Sequence, residues 1–530
     1  MISPKISYNY MMVAPHHLAA KCGSEILKEG GNAIEALIAS ASMISVVYPH
    51  MNSMGGDNFW LISDKNKNVY AIDSCGPVAN NASIEFYKNQ GFSSIPSRGP
   101  LSALTVPGAV AGWKLAYDFS VKNLGGKIPI SRLLFDAEQT AKEGVRVTNT
   151  LRNNLVSKLN QLIDVVGFKE VYLKNGKIPN VGERLVFPKL SKTFSCLIKN
   201  GLNDFYSGET AKNIISDLKQ VGSPLSLEDF LNYKSEFVNP LELKIKKAKL
   251  FNLPPPTQGL ASILILGILD YLSIPYKNDT EFIHSIVEAT KLAFRIRDKY
   301  ITDPKYVTVN INDFLKQNFI KKLAMDVDIR QAKPWPDSKI GGDTVWMGAT
   351  DSYGNTVSFI QSIYWEFGSG LILPKTGITM QNRGISFSLN PTDLNNLLPG
   401  RKPFHTIQPA LAHFDDGRVM SYGTMGGEGQ PQTQATIFLR YANQNQNIQK
   451  AIYNPRWLLG KTWGEETTSL KIENRFGVST FQKLKSMGHD VEVVGPFEEI
   501  MGHAGCVVKH MNGLVEGAFD PRSDGAAFGN

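Results

Sequence analysis

The sequence predicts an α/β protein folded as one interleaved unit. Strand-like runs lie near both ends of the chain, with helical runs between and among them. No internal repeat or low-complexity tract divides it. Of its 530 residues 42% are hydrophobic, which suits a globular protein with a large core.

From the N-terminus, the first residues lack the basic-then-apolar layout of a signal peptide. His17 to Leu27 has helical spacing and stops at Gly30-Gly31. Asn32 then caps an apolar helix from Ala33 to Val47. Ser40, Ser42 and Ser45 make that helix too polar, and it is too short, to span a bilayer. The turn at Gly55-Gly56 leads into a strand over Phe59–Ser63, and the turn at Val106–Gly108 opens a helix. Residues 130–300 read as mostly helical, with Lys244 to Lys249 as the wet face of a strand. Leu253–Gly259, with three consecutive prolines, is a rigid break, and Thr257 is the expected N-cap of an apolar helix ending at Leu272. Residues 281–300 read as an amphipathic helix carrying Glu288, Lys291, Arg295 and Asp298. The tract 310–342 is weakly patterned and reads as a linker or exposed loop. After Thr344 the chain turns to strands and glycine turns.

Net charge is +8 with a pI near 9.0, a mild excess over this length that argues against a nucleic-acid partner. Cys22, Cys75, Cys196 and Cys506 are far apart and form no CxxC pair. That favours a reducing compartment, with the cytoplasm as the simplest location and no membrane partner. The nine histidines show no metal-ligand spacing, so no metal and no cofactor are expected.

The most informative stretch is Gly341-Gly342-Asp343-Thr344. Thr344 to Thr350 reads as a strand, Asp351 to Asn355 as a turn, and Thr356 to Ser362 as the return strand. A turn centred on Tyr353 pairs Thr344 with Ser362, two hydroxyls facing across the ladder. Alone, Gly-Gly-Asp-Thr is an ordinary turn sequence. Gly426-Gly427 follows a strand ending near Ser421 and would let backbone N–H groups approach a developing oxyanion; it reads equally as a strand-to-helix turn.

Collinear segments along nearly the whole chain resemble the γ-glutamyltransferase family of N-terminal-nucleophile hydrolases. They include Gly30-Gly31-Asn32-Ala33, Gly55-Gly56, Val106-Pro107-Gly108, Asp204-Phe205-Tyr206-Ser207-Gly208 and Leu253–Gly259. The later ones are Gly342-Asp343-Thr344, Phe367–Gly370, Asn454-Pro455-Arg456 and Asp520-Pro521-Arg522. The resemblance implies a four-layer αββα sandwich made as one precursor that cuts itself between Asp343 and Thr344. Residues 1–343 would form a large chain and 344–530 a small one, interleaved in one domain, with a homo-oligomer of the pair left open. Thr344 would be the nucleophile, its freed α-amine the base. Ser362 would support its hydroxyl, and Gly426 and Gly427 would form the oxyanion hole.

The departures bear on the substrate. The family's γ-glutamyl enzymes hold the substrate α-carboxylate with an arginine, but Asp73 to Ser97 contains none and Arg98 is the nearest. Ile385 falls where they carry an aspartate for the α-amino group. A serine pair reads His405-Thr406, and an asparagine near the nucleophile reads Tyr364. Gln381-Asn382-Arg383-Gly384 and Lys402–Thr406 look more like the branch containing oxamate amidohydrolases and acylases. Arg383 and His405, with Thr406, Tyr364 and Asn382, are therefore expected to grip a different, acidic acyl group. The favoured reading is a self-cleaving amidohydrolase of a small amide. True γ-glutamyl transfer or glutathione hydrolysis, and an inactive relative that only binds, are the alternatives.

Overall fold

A computed structural model describes residues 2–335, 343–460 and 468–530, Asp343 by its backbone alone. The predicted Gly341-Gly342 turn lies outside the described residues.

The N-terminal helices follow local chemistry. His17–Lys28 is helical, and Asn32 caps Ala33–Val47 through a capping box. The Asn32 side chain accepts from the Glu35 amide at 3.1 Å, and Glu35 Oε2 accepts from the Asn32 amide at 2.8 Å. The second helix is apolar on every face because every face is covered: all its residues are buried.

Two seven-stranded antiparallel sheets form the centre. Edge to edge, the first runs Lys5–Ser7, Val515–Phe519, Ala504–Lys509, Val419–Thr424, Ala410–Phe414, Ala248–Asn252 and Leu241–Lys244. The second runs Ala526–Gly529, Met11–Ala14, Asp343–Thr350, Thr356–Tyr364, Asp57–Ser63, Val69–Ser74 and Glu236–Val238. Both sheets take strands from either side of the 343–344 position, so chain segments before and after it interleave.

Three apolar clusters make the four layers. Val13, Phe59, Trp346, Leu411 and Val507 fill the space between the sheets. Ala33–Val47 and its neighbours pack on the outer face of the second sheet. Gly259–Leu272 and Gly429–Ala442 pack on the outer face of the first. This is the αββα sandwich the resemblance implied.

Several expectations are corrected. Lys244–Lys249 is not one strand but the tip of a hairpin, Leu241–Lys244 returning through Ala248–Asn252. Lys244, Lys246 and Lys247 are exposed and Lys249 is half-buried; the alternation breaks at Lys246-Lys247, where the chain turns. The cap of the apolar helix falls on Gln258, one residue later than Thr257, although Thr257 Oγ1 accepts from Gly259 N at 3.1 Å. The helix Asp279–Tyr300 does not present all its charges to water. Arg295 and Asp298 are exposed, but Glu288 and Lys291 are a buried pair 2.7 Å apart. The tract 310–342 holds a helix, Gln317–Met325, which buries Ile320 and Ala324 one turn apart. Among the described residues no helix is long and apolar enough to cross a membrane.

Asn454-Pro455-Arg456 and Asp520-Pro521-Arg522, far apart in sequence, meet in a buried charge cluster. Asp520 accepts from Arg456, from Arg522 Nη1 at 3.1 Å and from the amides of Ala504 and Arg522. Glu473 takes the other edge of the Arg522 guanidinium at 2.7 and 2.8 Å. Burial alone would raise the Asp520 carboxyl, but Arg456, Arg522 and the two amides outweigh it and hold it below its ordinary value. Asp520→Ala leaves two buried guanidinium groups short of their acceptor and is expected to cost about 3–5 kcal/mol, read as a lower urea midpoint. Because the folded-state value is depressed, this stabilisation is present above the unfolded value of about 3.9 and is lost as pH falls through the folded one.

Candidate active site

Thr344 is the second residue of Asp343–Thr350 and is fully buried. The hairpin keeps the register read from the sequence, from Val345 opposite Gln361 to Thr350 opposite Thr356. Between Asp343 and Val345 the ladder is irregular, and Asp343 pairs with Tyr364. Thr344 therefore faces two residues, Ser362 and Ile363, across a β-bulge. Ser362 lies opposite Asp57 on its other side, and its Oγ accepts from Tyr364 N at 2.8 Å. A Cβ at Gly56 would sit 2.1 Å from Ser362 O, so glycine is what lets the chain pass here. Gln430 Nε2 donates to Thr344 Oγ1 at 3.3 Å, and Gln430 Oε1 accepts from Gln408 N.

Gly426 and Gly427 link the strand Val419–Thr424 to the helix Gly429–Ala442. Their φ values, +113° and +49°, lie in the region that favours glycine. Both carbonyls turn back into the fold: Gly426 O accepts from Gly429 N at 2.7 Å and Gly427 O from Gln258 Nε2 at 2.7 Å.

Arg383 is fully buried, and among the described residues none of its three guanidinium nitrogens has a hydrogen-bond partner. The guanidinium lies 3.7 Å from the centre of the Tyr364 ring. Burial pulls it down to about 10, against the pull of Tyr364 and Asp57, so it stays charged at neutral pH. Tyr364 itself has φ +82°, a strained conformation for a tyrosine, next to the bulge.

Asp57, which the sequence reading did not single out, lies on the floor of this region. Oδ1 accepts from Gly108 N at 2.9 Å and from Gly76 N and Gln381 Nε2 at 3.3 Å. Oδ2 is 3.0 Å from His405 Nε2. Burial pushes its carboxyl up to about 7, although Arg383 and the amides of Gly108 and Gly76 oppose this. Burial, with Arg383 and Lys402 nearby, holds the His405 imidazole neutral. His405 and Asp57 thus share a hydrogen bond rather than an ion pair. His405 therefore carries no charge, and among the described residues its Nδ1 has no partner.

Thr406 Oγ1 is buried without a partner among the described residues. The Asn382 side chain is a brace: Oδ1 accepts from Trp365 N at 3.1 Å and Nδ2 donates to Ser97 O at 3.0 Å. Arg98 donates to the carbonyls of Glu366 and Gly368 and to Gln161 Oε1, so its fork is committed to protein groups. Among the described residues, His284, Glu288 and His489 bring three possible metal-ligand atoms within 4.8 Å. Those atoms already serve one another and the fold: His284 Nδ1 meets His489 Nε2 at 2.8 Å, and Glu288 pairs with Lys291 and the Lys333 amide.

Two facing antiparallel sheets, covered by helices and carrying a buried threonine hairpin beside a glycine turn, define an αββα hydrolase of the N-terminal-nucleophile class. The family model described as Gamma-glutamyltranspeptidase matches residues 19–530, and the chain belongs to that family. It is 48% identical over 529 residues to an oxamate amidohydrolase proenzyme of Klebsiella pneumoniae subsp. pneumoniae, covering all of both chains. It is 37% identical to the glutathione hydrolase-like YwrD proenzyme of Bacillus subtilis, with 99% of each covered. The crystal structure of a cephalosporin acylase from Bacillus halodurans superposes with a TM-score of 0.91 at 30% identity, over 99% of this chain and 97% of that one.

Proposed function

We propose that the chain is a precursor that cuts itself before Thr344 and then hydrolyses the amide of a small carboxylic acid, with oxamate as the simplest substrate. The observation that carries this reading is Arg383: a buried cation without an acceptor, stacked on Tyr364 beside the bulge opposite Thr344. A carboxylate would relieve it through a two-point hydrogen bond.

In self-cleavage, Thr344 Oγ attacks the Asp343 carbonyl carbon. The peptide C–N bond breaks, an ester forms, and the hydroxyl proton ends on the new α-amine. Water opens the ester to an Asp343 carboxylate and a free Thr344 hydroxyl. Residues 1–343 and 344–530 then persist as large and small chains held by the interleaved sheets. In turnover the α-amine takes the hydroxyl proton as Oγ attacks the substrate carbonyl. The N–H groups of Gly426 and Gly427 meet the oxyanion. The substrate C–N bond breaks, and the proton leaves with ammonia. Water then releases the acid from Thr344, or an amine acceptor takes the acyl group. Ser362 and Gln430 orient the hydroxyl.

For oxamate, Arg383 and Thr406 bind the carboxylate while Asn382 holds the wall beside Trp365. The name of the 48% relative points the same way. A γ-glutamyl substrate lacks its partners here: the donors of Arg98 are in use, and Ile385 has no charge for an ammonium. We place the enzyme in the cytoplasm, in keeping with its four free cysteines. The test is turnover of oxamate beside γ-glutamyl-p-nitroanilide by the purified, cut enzyme. Ammonia release from oxamate is expected; turnover of the glutamyl compound alone would reject the substrate.

Asp57 adds a pH dependence. Below about pH 7 its carboxyl is protonated and donates to His405 Nε2, which leaves Nδ1–H as a donor for an anion. Above it the carboxylate repels a substrate anion, competes for Arg383 and accepts from Nε2–H, which leaves Nδ1 without a proton to offer. KM for oxamate should therefore rise about tenfold, or ~1.4 kcal/mol, between pH 6 and 8 in the parent. It should stay nearly flat in Asp57→Asn, as initial rates across that range would measure.

A further inference from the structure

The turn that would stabilise the oxyanion is built from Gly426 and Gly427, residues with little conformational preference of their own. Something outside the turn must set its position. One buried side chain reaches it and also reaches the segment that carries His405 and Thr406.

Gln258 is fully buried at the start of the helix Gly259–Leu272. Its side-chain Nε2 donates to Thr406 O at 2.6 Å and to Gly427 O at 2.7 Å, which uses both of its protons. Its Oε1 accepts from Arg297 Nη1 at 3.0 Å. An arginine has only donors, so this contact fixes which end of the amide is oxygen and turns the NH2 group toward the two carbonyls. Arg297 is fully buried, lies 3.8 Å from the Phe294 ring centre and donates from Nη2 to Glu428 Oε1 at 2.8 Å. Glu428 follows Gly427 directly. The ties therefore close a ring from Gly427 through Gln258 and Arg297 to Glu428. The backbone adds a second anchor: Gln258 N donates to His405 O at 3.0 Å, and His405 N donates to Pro256 O at 2.9 Å.

We infer that Gln258 is a positioning residue that holds the oxyanion turn at Gly426-Gly427 and the substrate-binding segment at His405-Thr406 at one fixed spacing, with Arg297 and Glu428 locking its amide. The inference rests on the proposed roles of Thr344 and the glycine turn. Its effect on rate is geometric. An oxyanion donor works only when aimed at where the charge develops, and a displacement of about 1 Å can cost on the order of 100-fold. With one amide gripping both segments, the distance between the bound carboxylate and the oxyanion N–H groups is set by a single rigid group. That spacing suits a short acyl unit.

The test uses full-length Gln258→Glu and Gln258→Met. Glutamate still accepts from Arg297 but has no proton for the two carbonyls; methionine keeps the volume and loses every side-chain tie, leaving only the backbone bond to His405 O. Both variants are expected to lose about 10- to 100-fold in kcat for oxamate. Both should bind a boronic acid, which forms a tetrahedral adduct on Thr344 Oγ, more weakly by a similar factor. Arg297→Lys, which keeps a cation for Glu428 but lacks the fork that also reaches Gln258, should fall in the same direction if the Gln258 variants do not fold. A strut of purely structural importance would lower the melting temperature and leave kcat and boronate affinity within about twofold of the parent at lower temperature. That result would overturn the inference. Failure of the underlying reading looks different: the unmodified chain would stay uncut and would not bind the boronate.

Discussion

Thr344→Ala is expected to remain a single 530-residue chain and to release no ammonia from oxamate, whereas the parent is recovered as two fragments, the smaller beginning at Thr344. The substitution acts twice. It removes the hydroxyl that attacks the Asp343 carbonyl, so the cut is not made. Without the cut no α-amine is freed, so the general base is missing as well. In other hydrolases, loss of the nucleophile alone costs about 10⁶-fold in kcat. Thr344→Ser separates these effects, because it keeps the hydroxyl and drops only the methyl; it should still cut, more slowly. Intact-mass measurement over days follows the cut, and ammonia release follows turnover. A parent chain that stays whole would reject the mechanism.

The parts of this site that were legible in the sequence are those that local pattern encodes. A period-2 hairpin around a five-residue turn gave the register from Val345–Gln361 to Thr350–Thr356, because strand register follows from turn position; the bulge that sets Thr344 against both Ser362 and Ile363 was not legible. The N-cap at Asn32 was read correctly as a helix start; its partner Glu35, three residues on, completes a capping box. What escaped is tertiary. Asp57 follows a glycine pair and looks like any turn acid, until the fold surrounds it with Gly76, Gly108, Gln381 and His405. Gln258 and Arg297 acquire meaning only when Gly427 and Glu428 arrive from far along the chain. Residues 281–300 read as an amphipathic helix, and helical spacing cannot say that Glu288 and Lys291 are covered and paired while Arg295 and Asp298 are exposed. The charge state of His405 is not legible either, because burial, not residue type, decides it.

These misses share a cause. The interior around Thr344 is crowded with polar groups, most of which satisfy one another; Arg383 stands out because all three of its guanidinium nitrogens lack a partner among the described residues, beside the unpartnered Thr406 Oγ1 and His405 Nδ1. Burying an unpaired guanidinium is costly, and folded proteins tolerate such a group where a ligand completes it.

Arg383→Met should therefore separate binding of the acid from the chemistry of the amide. Methionine fills much of the volume over Tyr364 and removes the charge. Hydrogen bonds to a charged group contribute about 1.5–3 kcal/mol each, so losing a two-point grip should lower kcat/KM for oxamate by about 10²- to 10⁴-fold. Because the carboxylate is held in ground and transition states alike, much of the loss should appear in KM. Arg383→Lys should recover only part, since a single ammonium cannot reproduce the fork or the stacking on Tyr364. The folded state should move the other way: relieved of a buried cation without acceptors, Arg383→Met is expected to melt no lower than the parent, and higher if the Tyr364 stacking is the smaller term. Loss of activity with retained or increased stability would mark Arg383 as a ligand-binding group, because a residue kept for structure would lose both together. Turnover of oxamate unchanged in Arg383→Met would reject its assignment to the carboxylate.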